Sequence, residues 1–349
     1  MKRLPIITHS LYAELVDQCR AEPRDPGLWP LSGSIVTVPV DGQEHWYFQM
    51  SRRTTPVKYQ QREYIGPVGD ARVAERVAAF ESAKAGYANR AEIISTLKSA
   101  GVTAPTGKVA NLLLGLHEAG TLEKAILVGT IAFQAYGAML GAKFGQAAFY
   151  TQDVDMTQAD SISLAVTEET SSPPLLDVLK SLDPTFDAVP GLDPRTPPVS
   201  YINKDKIRLD VLMPFSGPPR GPIPARKLKT HGHPQRFLDY LIADPVETVL
   251  LVGGGALTHT PAPARFALHK LIISQRRSAV ETAKKRKDLL QAEQLLILLM
   301  QDAPDSLAEA HQDLKGRGPK WNALFEAGLA SLDKAGVRDS ALELFGLRR

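Results

Sequence analysis

Three aspartates have the residue type and spacing for metal-dependent chemistry. Asp153 and Asp155 lie two apart in the segment TQDVDM at residues 151–156, and Asp210 lies in IRLDVLM at residues 207–213. Side chains two apart on a β-strand point to the same face, and Asp210 can join the pair from a neighbouring strand. Three adjacent carboxylates resist ionisation unless a hard divalent cation neutralises them. The pattern therefore predicts that all three are catalytic and bind Mg²⁺, with Mn²⁺ as the alternative ion, as in phosphoryl-transfer sites.

The segment upstream predicts a phosphate-binding turn. Residues 125–128 are typical of a short buried strand, Gly129 and Thr130 of a turn, and residues 131–140 of a helix that starts there. The free N–H groups and positive dipole of a helix N-terminus bind anions, and glycine lets the backbone approach them. Gly129 and Thr130 are thus candidate nucleotide-binding residues. An ordinary strand-to-helix turn is the competing interpretation.

A basic segment follows the acidic one. Between residues 152 and 193 there are nine Asp or Glu and one Lys, whereas residues 265–290 contain eight Lys or Arg and two acids. Proline at 263 starts a predicted helix to residue 277, in which Lys270 and Arg277 fall on one stripe. Cationic helices facing an acidic metal site can bind a triphosphate or a nucleic-acid backbone. Lysine runs are also common on solvated helix faces, and this alternative stays open for residues 284–287.

Four regions are predicted along the chain, as an α+β protein. Residues 1–70 contain a helix over 10–20 and a β-meander, and residues 71–121 form a helical connector with helices over 72–85, 90–99 and 109–118. Three short helices suit a winged-helix-like DNA reader or, more often, a packing layer. Residues 122–262 form the catalytic domain with a mixed sheet, interrupted by a proline-rich insertion over 171–200. Residues 263–349 form a C-terminal helical domain.

The β-meander interleaves aromatic and basic residues. Predicted strands over 33–40, 45–50 and 57–64 alternate apolar and polar positions, with an Asp-Gly turn at 41–42. The aromatics are Trp46, Tyr47, Phe48, Tyr59 and Tyr64, and the basic residues are Arg52, Arg53, Lys58 and Arg62. Such a sheet can stack bases and bind phosphates. Packing of the aromatics onto the main domain, with solvated arginines outside, is the alternative, and we favour it slightly.

Composition sets limits that are consistent with a soluble enzyme. The chain has 349 residues, a net charge of +3 and a single cysteine, Cys19, so it suggests two or three domains and no internal disulfide. The apolar run over 125–142 is just long enough for a membrane helix, but its glycines and flanking charges favour a buried strand followed by a buried helix. No apolar signal core follows the first residues, so a cytoplasmic location is expected.

The order of these elements resembles nucleotidyltransferases of the DNA polymerase β superfamily. The shared order is a strand, a Gly-Thr turn, a helix, a strand with Asp-x-Asp and a strand with a third Asp; the superfamily usually has Gly-Ser at the turn. Within it, the chain is most similar to a group of uncharacterised bacterial nucleotidyltransferase-like proteins. That likeness rests on PARFALHKL at 263–271, KRKDLLQA at 285–292 and a segment ending at Pro67, and it spans roughly residues 30 to 300. It implies a mixed sheet with flanking helices and nucleotide binding by Lys270 and Lys287.

The resemblance also implies an activity. By a two-metal mechanism, a nucleoside monophosphate would pass from an NTP such as ATP to an acceptor hydroxyl. Superfamily members modify RNA ends, antibiotics and protein hydroxyls, and some are toxins of toxin–antitoxin pairs. The basic helices and the aromatic meander weakly favour tRNA or another nucleic acid as the acceptor. A protein acceptor and a toxin-like role are further options. The rival hypothesis is a catalytically inert fold that binds nucleic acid or regulates. The sequence names neither the base nor the acceptor.

Overall fold

The protein is described here from a computed structural model, which covers residues 1–22, 29–50, 62–145, 151–158, 173–191, 193–218 and 221–347. It confirms the α+β class. The strands are β1 (Lys2–Arg3), β2 (Ser34–Val40), β3 (Gln43–Gln49), β4 (Arg62–Pro67), β5 (Ala125–Val128), β6 (Ala142–Lys143), β7 (Asp153–Gln158), β8 (Asp187–Ala188), β9 (Ser200–Ile202), β10 (Arg208–Pro214), β11 (Ile223–Ala225), β12 (Thr230–Gln235), β13 (Pro245–Leu250) and β14 (Ala256–Pro261). The helices are α1 (Ile6–Ala21), α2 (Ala71–Ser99), α3 (Gly107–Glu118), α4 (Gly129–Met139), α5 (Leu175–Leu182), α6 (Leu238–Leu241), α7 (Pro263–Ser274), α8 (Thr282–Asp302), α9 (Pro304–Gly316), α10 (Pro319–Ala330) and α11 (Ala335–Leu344).

A mixed sheet lies at the centre of the fold. Its main path runs β11-β12-β10-β7-β5-β14-β13, and β8 and β9 attach beside the start of β10. The strand with the Asp-x-Asp pair, β7, pairs in parallel with β10 and antiparallel with β5. The three elements that the sequence singled out are therefore adjacent.

Alternation along β7 and β10 sets the direction of the acidic side chains. Alternate residues of these strands are buried in a hydrophobic core on one face of the sheet: Val154, Met156, Leu209 and Val211. Because side chains alternate along a strand, Asp155 and Asp210 point to the opposite face. That face is covered by a second core, to which α4 and the helices α6 to α11 contribute. The acidic positions therefore face the C-terminal helices.

The N-terminal meander forms as predicted where it is described. β2, β3 and β4 make an antiparallel sheet, and Asp41 and Gly42 turn the hairpin with φ values of 49° and 78°. Phe48 packs with Trp29 and with Phe80 of α2, so part of the aromatic set is structural. The predicted third strand begins outside the described residues, which also exclude Arg52, Arg53, Lys58 and Tyr59.

The connector differs from the prediction. Instead of two helices over 72–85 and 90–99, one helix, α2, runs without a break from Ala71 to Ser99. Tertiary contacts stabilise its middle, because the buried Arg90 donates from Nε to the Gly254 carbonyl at 2.8 Å and pairs with Glu22 at 2.6 Å. With α3 this gives two helices rather than the three that a winged-helix arrangement needs.

The helix that starts at Pro263 is shorter than predicted. The helix predicted to reach residue 277 ends at Ser274, and α8 follows after a short 3₁₀ turn. Ser278 and Glu281 form a capping box there, so the chain must turn before it. Over the described ranges, no helix has both the length and the apolarity to cross a membrane.

Candidate active site

The structure brings the three predicted aspartates together on adjacent strands. Asp155 lies opposite Asp210 in the parallel register of β7 and β10, and Asp153 lies opposite Arg208. On its other side, Asp155 is paired with Val128, the residue before Gly129. Asp153 is exposed, whereas Asp155 is partly exposed as a residue but has its carboxyl group enclosed by protein, so the group lies at the edge of the helical layer.

Asp155 experiences the strongest electrostatic perturbation in this group. Burial, together with the negative charges of Asp210 and Asp153, raises the pKa of its carboxyl to about 6. The positive charges of Lys270 and Lys287 act in the opposite direction. A cation beside Asp155 would relieve the cost of ionising it.

Asp210 has a partner that sequence reasoning missed. Arg208 lies two residues earlier on the same face of β10, and its Nε lies 2.8 and 2.9 Å from the two oxygens of Asp210. Its Nη2 also donates to the hydroxyl of Ser200 at 3.1 Å. The hydrogen bond to Asp210 raises the pKa of Arg208, and the charges of Asp210, Asp153 and Asp155 add to it. The i, i+2 spacing of Arg208 and Asp210 in a strand was the signal for this pair.

The expected three-carboxylate cage is not preformed. Within the part of the chain that the structure describes, no group of three or more His, Cys, Asp or Glu side chains is arranged to hold a metal ion. The donors still suit magnesium, which proteins usually bind through one or two carboxylates together with water and substrate phosphates. Asp153 and Asp155 can supply those carboxylates, whereas both oxygens of Asp210 already contact Arg208.

Gly129 and Thr130 are the first two residues of α4, which thus starts two residues earlier than predicted. Gly129 has a φ of 64°, in the left-handed region that favours glycine. A Cβ at this position would overlap Oδ2 of Asp155. Glycine is therefore required both by the backbone and by the close approach of the carboxylate. Thr130 is buried, and the first turn of α4 has no side-chain cap.

Two of the predicted phosphate-binding cations meet at one buried acid. Nζ of Lys270 donates to Oδ1 of Asp288 at 2.6 Å, and Nε of Arg277 donates to Oδ2 at 2.9 Å. Burial alone would raise the pKa of Asp288, but the charges and hydrogen bonds of Lys270 and Arg277 bring it below its usual range. Asp288 was not predicted as a site residue, although it directly follows the basic residues in the segment KRKD at 285–288.

Lys287 interacts electrostatically with both this network and the aspartates. Burial and the charge of Lys270 lower the pKa of Lys287, while Asp288, Asp153 and Asp155 raise it. Lys270 and Lys287 both act electrostatically on Asp155. Lys270 of α7 and Lys287 of α8 are therefore within electrostatic reach of the carboxylates of β7.

The neighbouring His269 shows that this region is shielded from solvent. It is buried, and burial together with the charge of Lys270 lowers its pKa to about 3. Its imidazole is therefore neutral near pH 7, and the positive charge here comes from Lys270, Lys287 and Arg277. The arrangement can bind an anion beside a cation, as a metal–triphosphate site requires.

Comparison with known proteins identifies the class. A family model described as nucleotidyltransferase matches residues 107–315, which include the candidate site residues named above. The match covers more than half of the chain, and the protein belongs to this nucleotidyltransferase family. The resemblance seen in the sequence is thereby confirmed at the level of the family.

No curated protein matches the chain. Among solved structures, the chain is similar to an antigenic nucleotidyltransferase-like protein from Paracoccidioides brasiliensis, with 15% sequence identity and a TM-score of 0.31. That similarity covers 66% of this chain and 94% of the other.

Proposed function

We propose that the protein is a Mg²⁺-dependent nucleotidyltransferase of the DNA polymerase β type. It transfers a nucleoside monophosphate from an NTP to an acceptor hydroxyl and releases pyrophosphate. One observation carries this proposal: the carboxylate of Asp155 experiences both the negative charges of Asp210 and Asp153 and the positive charges of Lys270 and Lys287. Such an arrangement suits a cation–triphosphate complex, which carries both charges.

Each candidate residue has a role in this proposal. Asp153 and Asp155 would hold one Mg²⁺ ion, and together with Asp210 they would hold a second. The bound cations supply charge neutralisation at the α-phosphate and lower the pKa of the attacking hydroxyl. Gly129 allows close approach of the triphosphate, with the Thr130 hydroxyl and the N-terminus of α4 as donors.

The cations on the helical side bind the triphosphate. An ammonium group has three donors, so Lys270 keeps N–H groups for a β- or γ-phosphate oxygen while it contacts Asp288. Lys287 and Arg277 extend the same positive surface. Because Asp288 is buried beneath Lys270 and Arg277, it fixes where their charges lie.

The proposed acceptor is RNA, with tRNA preferred, and a protein hydroxyl is the second option. Support comes from the outer face of the N-terminal sheet, where Tyr47 and Tyr64 meet edge to face with ring centroids 5.4 Å apart. His45 lies beside Tyr64, a residue that is 54% exposed. Exposed rings of this kind stack on unpaired bases. Binding of tRNA and duplex DNA at two salt concentrations tests this, and no binding at low salt would reject a nucleic-acid acceptor.

Label transfer tests the catalytic proposal. The protein is incubated with Mg²⁺, each α-labelled NTP, total RNA and protein extract. Asp153→Ala and Asp155→Ala should abolish incorporation, whereas Asp333→Ala, at an exposed position between α10 and α11, should not. Incorporation that persists in the first two variants would reject the site. Failure of the unaltered protein with every NTP and acceptor would favour the alternative, an inert nucleic-acid-binding or regulatory protein.

A further inference from the structure

Arg208 is hydrogen-bonded to the carboxylate of Asp210, which a second cation would need as a ligand. Its guanidinium contacts both oxygens of Asp210, at 2.8 and 2.9 Å. One N–H group is shared between the two oxygens, and such a charge-assisted hydrogen bond is stronger than one between neutral groups. A divalent cation that binds Asp210 must displace this contact or share it against the repulsion of a positive charge.

The surroundings of Arg208 favour this contact when no metal is bound. Ser200, the residue opposite Asp210 on β9, is buried and accepts a hydrogen bond from Nη2 of Arg208 at 3.1 Å. Asp153 lies opposite Arg208 in the register of β7 and β10. The guanidinium is thus placed where the negative charge of the three aspartates is concentrated.

Exposure indicates that the contact can open. The side chain of Arg208 is 42% exposed and that of Asp210 is 21% exposed. On the other side of the site, Lys270 and Asp288 are only 9% and 4% exposed. Arg208 can therefore leave Asp210 by rotating into solvent, whereas the Lys270–Asp288 pair cannot separate without disturbing the packing of α7 and α8.

We propose that Arg208 is the counter-ion of this site in the metal-free protein and that a divalent cation binds Asp210 only in exchange for it. This rests on the proposed function, because it assigns Asp210 to the second cation. Arg208 is then a positioning residue. Its positive charge offsets the mutual repulsion of the carboxylates before metal binds, and its contact with Asp210 sets the affinity of the second cation site.

Mn²⁺ binding, followed by electron paramagnetic resonance of the free ion, tests this without relying on activity. Arg208→Met removes the guanidinium and adds no oxygen ligand, so the weaker class of Mn²⁺ sites should bind roughly fivefold more tightly. Arg208→Lys keeps the charge but loses the two-oxygen contact and should fall between. Arg195→Met is the matched control, since Arg195 forms a similar pair with Asp193 on the surface, at 2.9 Å.

Three further results complete the test. Ser200→Ala removes only the anchoring hydroxyl and should tighten Mn²⁺ binding slightly, which supports the exchange even if Arg208→Met folds poorly. Unchanged or weaker Mn²⁺ binding in well-folded Arg208→Met and Arg208→Lys, with binding still lost in Asp155→Asn, would overturn the role of Arg208 alone. If Asp155→Asn also binds Mn²⁺ like the unaltered protein, the cation site itself is wrong and the proposed function fails with it.

Discussion

Replacing Asp155 with asparagine should stabilise the metal-free protein while it abolishes activity. Asparagine has nearly the shape of the protonated side chain but does not ionise. The pKa of Asp155 is about 6 in the folded protein, against a usual value of 3.8. Ionising this buried group therefore costs the folded state roughly 3 kcal/mol, at about 1.4 kcal/mol for each pH unit between the two values.

The sign of the pH dependence follows from proton binding. Between about pH 4 and pH 6 the folded protein keeps the Asp155 proton that the unfolded chain has lost, so the free energy of unfolding falls as pH rises. Above pH 6 both states are ionised and this contribution becomes constant. The stability advantage of Asp155→Asn should thus grow from pH 4 to pH 6 and stay at roughly 2 to 3 kcal/mol up to pH 8.

Chemical denaturation in EDTA at pH 5, 6, 7 and 8 measures this difference. Asp153→Asn is the matched control, because it removes a charge from the same strand at an exposed position and should give a much smaller gain. Added Mg²⁺ should stabilise the unaltered protein and not Asp155→Asn. An advantage that is absent, or that shrinks as pH rises, would refute the electrostatic account of the site.

Three further changes test the supports of the site. Gly129→Ala should cost roughly 2 kcal/mol or more in chemical denaturation and abolish label transfer, because it forces a side chain into the left-handed region and against Asp155; normal stability would contradict that strain. Asp288→Ala leaves Lys270 buried without its acid and should lower the free energy of unfolding by about 3 to 5 kcal/mol. Adding Lys270→Met should recover at least about 1 kcal/mol of this, and strict additivity of the two changes would argue against a coupled pair. Tyr64→Ala should leave thermal stability nearly unchanged but weaken tRNA binding by about 1 kcal/mol or more in a salt-controlled titration; equal affinity would remove the aromatic face from the acceptor site.

Local patterns predicted the elements that position the site. The apolar segment of β5, the alternation in β7 and β10, and the turn at Asp41 and Gly42 all act over a few residues. The same holds for Pro263, which starts α7. These signals gave the order of the elements, and family resemblance supplied their arrangement in the sheet.

Features that depend on distant parts of the chain were not predicted. The continuity of α2 rests on Arg90, which contacts a carbonyl more than 160 positions away. The pairing of Lys270 with Asp288 joins two helices, and only their packing buries it. Arg208 and Asp210 were close enough in sequence to be paired, but a strand pattern does not reveal whether an acid binds metal or arginine.

The charges of the site also explain why the protein tolerates its acidic group. On the helical side, the buried Asp288 pairs with Lys270 and Arg277, and it thereby fixes the position of the Lys270 charge that acts on Asp155. On the opposite, more exposed side, Arg208 supplies a positive charge that can move away from Asp210 into solvent. Because the counter-ion on the more exposed side can be exchanged, cations and acceptor should enter past Arg208, and the proposed triphosphate should bind the fixed charge on the helical side. The same asymmetry predicts that substitutions in the buried network change stability first, whereas substitutions at Arg208 change metal affinity first.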